Sequence, residues 1–163
     1  MAGPFRRRLA TFVASLGYLG YSPFAPGTVG TLAALAVYWW LVPANYWVLI
    51  VAAAAIAAGV WAGGAAEKVW GGKDPGRVCI DEFAAYFVAV AFLPKTFSYA
   101  AIAFILSRAF DILKPFPAGR LQHLRGGAGI MADDLAAAVY ANLALQGLRL
   151  LAHALGAFKE TFP

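Results

Sequence analysis

From Tyr46 to Ala66 the chain carries not one charged or amide side chain. A helix of that length rises about 30 Å, the thickness of a bilayer's hydrocarbon core. Four further apolar runs follow the same habit: Thr28–Val42, which stops at Pro43; Phe83–Leu93, which stops at Pro94; Phe97–Phe110, which precedes Pro115; and Ala132–Leu155. Hydrophobic residues make up 62% of the sequence and charged residues 13%, against about 45–50% and about 25% in soluble domains. A water-soluble core of 163 residues could not hide that much apolar surface. The expectation is an all-α, polytopic membrane helical bundle with about five hydrophobic helices, formed by a single membrane-embedded domain over residues 1–163. The third and fourth runs are short for a crossing and could form a hairpin with Asp81 and Asp111 at the same end.

The net charge of +5 does not point to nucleic acid. The basic residues sit between apolar spans instead of forming one solvated stripe, so they read as topology determinants and contacts to anionic lipid. With the N-terminus inside, Arg6, Arg7, Arg8, Lys68, Lys73, Arg77, Arg108, Lys114, Arg120 and Arg125 fall on the cytoplasmic side. Only Lys95, Arg149 and Lys159 fall on the other. Arg6–Arg8 resembles the start of a signal peptide, but Leu9–Leu19 leads into Tyr21-Ser22-Pro23-Phe24 without a small-residue cleavage pattern. An N-terminal interfacial helix held to the cytoplasmic surface by its arginines is expected instead. The single cysteine, Cys79, allows no intrachain disulfide and reads as a buried structural thiol.

Seven of the eight acids fall on the basic side: Glu67, Asp74, Asp81, Glu82, Asp111, Asp133 and Asp134. Asp81-Glu82, Asp111 and Asp133-Asp134 sit at the ends of apolar spans, where ionisable groups are costly and usually functional. Each acidic pair could also simply open a helix and complement its dipole. Three acidic sets at one membrane face would repel unless a divalent cation such as Mg²⁺, which takes oxygen ligands, relieved them. Arg108, Asp111 and Lys114 recur at i, i+3 and i+6. They form either an intrahelical ion pair or a clamp in which the two cations grip phosphate oxygens. Two glycine-rich segments, Ser22–Thr31 and Arg125–Gly129, each run into a span and could approach an anion closely, or could be plain turns. Neither is a Walker A sequence. His123 and His153 suggest no zinc site, and no Ser-His-Asp or Cys-His set is evident. A proton- or ion-coupled transporter could use the same acids, but would place them in mid-span.

Ser22-Pro-Phe-Ala-Pro-Gly-Thr-Val-Gly-Thr-Leu32, Val78-Cys-Ile-Asp-Glu82, Arg108-Ala-Phe-Asp-Ile-Leu-Lys-Pro-Phe-Pro117 and Gly126-Gly-Ala-Gly-Ile-Met-Ala-Asp-Asp134 occur in that order. Together they resemble the phosphatidylglycerophosphatase A family of bacteria. The resemblance implies a Mg²⁺-dependent phosphoric monoester hydrolase, a multi-pass protein of the bacterial inner membrane with its active site facing the cytoplasm. It would convert the phospholipid phosphatidylglycerophosphate to phosphatidylglycerol and phosphate in phospholipid biosynthesis. It implies catalytic roles for Asp81, Glu82, Asp111, Lys114, Asp133 and Asp134, and metal ligation by the five acids among these. Phosphate binding would fall to Gly27, Thr28, Thr31, Arg108, Lys114, Gly126 and Gly127. Ala85 and Ala138 stand where the family pattern leads one to expect glycine.

Overall fold

The computed structural model describes residues 3–43 and 45–155; Lys159 lies outside them. The elements are α1 (Pro4–Ala14), a 3₁₀ turn (Leu19–Tyr21), α2 (Pro26–Leu41), α3 (Asn45–Trp70), α4 (Ile80–Ala89), α5 (Phe97–Leu113), α6 (Ala118–Leu121) and α7 (Gly127–Ala154). No strand occurs among the described residues. The described residues are all-helical, and helices occur within the expected apolar runs, α4 covering only the first part of Phe83–Leu93.

Two of those helices, α3 and α7, are long and apolar enough to cross a membrane. Only 33% and 22% of their most apolar windows are buried against the protein, so most of that apolar surface faces outward. Trp40, Leu41, Ile105, Leu143 and Leu150 are likewise exposed, as expected where lipid is the solvent. The other three helices fall short of about 20 residues. The reason is clearest for α4. Its neighbours are α2, α3, α5 and α7, and seven of its ten residues are buried. Tyr86 and Phe87 are fully enclosed. Asn142 of α7 donates to the Ala89 and Ala91 carbonyls at 3.0 and 2.8 Å, satisfying carbonyls that a continuing helix would have used. The third run is thus the central helix of the bundle, with little surface left for lipid.

The ends of the bundle are chemically distinct. At one end Lys95 donates to the carbonyls of Trp39 and Val42 at 2.9 and 2.6 Å, and Arg149 donates to Phe92 at 3.3 Å. The acids gather at the opposite end, where α4 begins and α5 finishes. Both α1 and α7 depart from the expected boundaries. The N-terminal helix covers Pro4–Ala14, so it includes the three arginines and ends within the apolar stretch Leu9–Leu19, where Leu16, Gly17 and Tyr18 all have positive φ. Helix α7 begins at Gly127, inside what read as a loop. Gly127 presses so closely on α3 that a Cβ would lie 2.0 Å from the Val60 carbonyl oxygen. Close helix packing, which requires glycine here, recruits a segment of weak intrinsic helix propensity.

This predicts opposite outcomes for two alanine substitutions in α7. Gly127→Ala forces the α3–α7 crossing apart and should cost about 1–3 kcal/mol. Gly147→Ala meets nothing within 4 Å and should be neutral or stabilising by up to roughly 1 kcal/mol. Thermal unfolding of the detergent-solubilised protein distinguishes them; equal midpoints would contradict the packing account.

Candidate functional site

Helix α4 brings Asp81 and Glu82 to its first turn, and α7 supplies Asp134. One carboxylate oxygen from each of the three lies within 4.8 Å of the others. Asp81 and Asp134 are buried. Glu82 reaches under the start of α2, where a Cβ on Gly27 would lie 2.0 Å from its Oε1. A side chain at Gly27 would require the Glu82 carboxylate to shift.

Helix α5 supplies the counter-charge. Arg108 Nη1 lies 3.0 Å from Asp111 Oδ2 and 3.6 Å from Glu82 Oε1. The i, i+3 pair expected from spacing therefore forms, and the guanidinium also reaches across to α4. Lys114 does not continue that face. Helix α5 ends at Leu113, and Lys114 adopts φ +41°, which turns its amine to Asp133 of α7. Burial lowers the Lys114 pKa, but the Asp133 carboxylate and its neighbours outweigh this and raise it, so the amine stays charged.

A cavity of about 320 Å³ is lined by Pro26, Gly27, Asp74, Gly76, Val78, Asp81, Glu82, Asp111, Ile112, Lys114 and Asp134, and Arg108 borders a small pocket that shares Glu82, Asp111 and Asp134 with it. Asp133 is buried behind it in its pairing with Lys114. Asp133 and Asp134 do not open a helix: α7 has no acid in its first turn. The helix-opening explanation thus fails for this pair, because α7 starts six residues before Asp133. It survives geometrically for Asp81-Glu82, although neither caps α4 with a side chain.

Other expected contacts fall elsewhere. Thr31 lies beside Glu82, Arg108 and Asp134, but its hydroxyl donates to the Gly27 carbonyl at 3.0 Å. Thr28 is half-buried one residue from Gly27 and does not line the cavity. Gly126 borders a different cavity, with Arg6, Arg7 and Arg125, and Gly127 is occupied in packing on Val60. Asp74, one of the acids on the basic side of the sequence, also lines the acidic cavity. Its backbone N–H donates to Glu67 Oε1 at 3.3 Å. Although Asp74 reaches solvent, crowding by protein atoms and then the charge of Asp133 push its carboxyl above the usual range. Its place between Gly71-Gly72 and Pro75-Gly76 was a turn signal, with nothing to say which wall the turn would meet.

Among the described residues, three of the six non-glycine residues with positive φ border this cavity or adjoin it: Ala25, Asp74 and Lys114. Each conformation costs roughly 1–2 kcal/mol, and such strain collects at functional sites. Cys79, just before α4, is fully buried; burial and then the charges of Glu82 and Asp81 push its thiol up to about 12. It is an inert packing group, as expected from sequence.

Two facts test whether the site suits a cation. Asp81 Oδ1 and Glu82 Oε2 are buried without any hydrogen-bond partner, a costly state for a carboxylate oxygen. The donor set is wholly carboxylate, with no sulfur or imidazole, which matches a hard, oxygen-seeking ion. Asp81, Glu82 and Asp134 could therefore hold a metal.

Comparison with known proteins agrees with the resemblance read from the motifs. The family model described as phosphatidylglycerophosphatase A matches residues 12–149, which include every residue lining the acidic cavity. A Bacteroides thetaiotaomicron protein provisionally named a phosphatidylinositol-3-phosphatase is 38% identical over 51% of this chain and 54% of its own length. A Haemophilus influenzae phosphatidylglycerophosphatase A is 44% identical over 44% of this chain and 45% of its own. The Escherichia coli phosphatidylglycerophosphatase A is 35% identical over 63% and 62%. The chain thus spans about half to three-fifths of the curated relatives it matches. No solved structure matches it. With the family match extending over most of its length, the chain belongs to the phosphatidylglycerophosphatase A family.

Proposed function

We propose that the chain is a Mg²⁺-dependent phosphatase of the bacterial inner membrane that hydrolyses phosphatidylglycerophosphate to phosphatidylglycerol and inorganic phosphate in phospholipid biosynthesis. The observation that carries this reading is the three-carboxylate cluster of Asp81, Glu82 and Asp134 with its unpartnered buried oxygens, set beside Arg108 and Lys114 at one end of an apolar bundle. The relatives' names agree on chemistry, since each describes removal of a phosphate monoester from an anionic lipid headgroup. The basic residues of the N-terminus and of the loops after α3 and α5 lie toward the acidic end, which supports a cytoplasmic orientation for the site.

The residues divide the work as follows. Asp81, Glu82 and Asp134 hold the cation, with Asp111 on the adjoining wall. When bound, Mg²⁺ supplies Lewis-acid polarisation of the phosphoryl group and acidifies a water molecule. Arg108 and Lys114 orient the phosphate and offset the charge that builds on its oxygens. Asp133 positions Lys114 through their ion pair. A cavity carboxylate takes the proton of the attacking water as its oxygen bonds to phosphorus and the ester P–O bond breaks. That carboxylic acid then returns its proton to the leaving lipid alkoxide, freeing phosphatidylglycerol and restoring the carboxylate. The acyl chains need not enter the cavity, because the neighbouring helices already present apolar surface to them. A transporter would place its acids in mid-span; here they share one end.

Purified protein given phosphatidylglycerophosphate and Mg²⁺ should release phosphate, with phosphatidic acid and soluble glycerol phosphate poorer substrates, and EDTA should abolish release. Asp81→Asn, Asp111→Asn and Asp134→Asn should each lower kcat/KM by about 10²-fold or more. EDTA-resistant release, or near-normal activity in Asp81→Asn and Asp134→Asn, would contradict the reading. Stability supplies a second test. Without metal, Asp81→Asn relieves like-charge repulsion and should stabilise the fold by on the order of 1 kcal/mol. Added Mg²⁺ should raise the melting temperature of the unsubstituted chain by mass action and leave that of Asp81→Asn unmoved.

A further inference from the structure

A second cavity is larger than the acidic one. It measures about 760 Å³ and lies where α1, the C-terminal part of α3 and the start of α7 meet. Four cations line it: Arg6 and Arg7 from α1, Lys68 from α3, and Arg125 just before α7. All four are exposed, and none has an ion-pair partner among the described residues. Trp61 and Val69 form an apolar wall beside them. One acid, Glu67, also lines this cavity; its Oε1 accepts from the Asp74 N–H at 3.3 Å, and the lining remains net cationic. The two cavities share no lining residue.

From this we infer a second lipid site: the α1–α3–α7 cavity binds an anionic phospholipid of the surrounding leaflet that is not the substrate. The charge complementarity is specific. Four unpaired cations and the positive end of α7 favour a phosphodiester oxygen, and a free anion in water would gain nothing from Trp61 and Val69, whereas an acyl chain would. The cavity lies on the flank of α3, one of the two helices fit to cross a bilayer, so a leaflet lipid reaches it without leaving the membrane. Arg6 and Arg7 precede the family-matched residues 12–149, so half of the cationic set comes from outside that match. The inference goes beyond the proposed phosphatase reading and stands independently of it, because its readout is lipid binding and not phosphate release.

Trp61 is the natural reporter. The full chain, in phosphatidylcholine nanodiscs, is doped with brominated phosphatidylserine, an anionic phosphodiester lipid, or with an equal fraction of brominated phosphatidylcholine. The share of quenching due to Trp61 is the difference from Trp61→Phe. The expected result is stronger Trp61 quenching by the serine lipid, an excess that falls as salt is raised. Arg6→Gln/Arg7→Gln/Lys68→Gln should weaken apparent affinity for the serine lipid by about tenfold or more, and Arg6→Lys/Arg7→Lys should retain it. Equal quenching by the two lipids, or an excess unchanged in the triple variant, would overturn the inference. Abolition of the excess by inorganic phosphate at constant ionic strength would overturn it in favour of a free-anion site. If the triple variant does not fold, the salt titration of the unsubstituted chain decides: an excess insensitive to salt would also overturn the inference.

Discussion

The repulsion among Asp81, Glu82 and Asp134 is the constraint around which the polar end of this protein is arranged. Three carboxylates within 4.8 Å, two of them buried, would ordinarily drive their helices apart or take up protons. Two neighbouring cations soften the repulsion without removing it, since Arg108 is shared between Glu82 and Asp111 and Lys114 is committed to Asp133. The oxygens left without partners belong to Asp81 and Glu82. A divalent ion would satisfy both at once.

The apolar body of the bundle serves to hold that arrangement rigid. Helix α4 is short because it is a core element, closed at its far end by Asn142 and fixed in the middle by Tyr86, whose hydroxyl donates to the Ala100 carbonyl at 3.0 Å. Ala85 and Ala138 are buried in the same core, so the one methyl each adds where glycine was expected is accommodated by packing. Glycine is required where Gly127 lets α7 close on the α3 backbone, and Gly27 leaves room beneath α2 for the Glu82 carboxylate. Both contacts set the spacing between acids that come from separate helices.

The residues that carry charge were the most legible part of the sequence. Acids in an apolar chain are expensive, so Asp81, Glu82, Asp111 and Asp134 stood out and do meet at one cavity. Helix existence was legible for the same reason, because uncharged runs leave few alternatives. Hydropathy could not distinguish lipid from protein as the surroundings of an apolar helix, so nothing in the run at α4 showed that it is the centre of the bundle. Nor could local propensity foresee that Gly127–Met131 is helical, since that depends on α3 pressing against it. Asp74 and the cationic cavity were hidden because their neighbours come from distant segments: Asp74 meets Lys114 and Asp111 only through the turn before α4, and Arg6 meets Arg125 only through α1 packing on α3. The left-handed backbone at Lys114, which sends its amine to Asp133 instead of along α5, has no sequence signature beyond the proline that follows.

The central claim is that a hard divalent ion sits among these carboxylates. A crystal structure of the protein soaked with Mn²⁺, with anomalous scattering used to locate the metal, tests it most directly. The account predicts an anomalous peak at coordination distance, about 2.0–2.3 Å, from oxygens of Asp81, Glu82 and Asp134. Anomalous density elsewhere with none at this cluster, or these three side chains turned apart with the cavity empty, would contradict it.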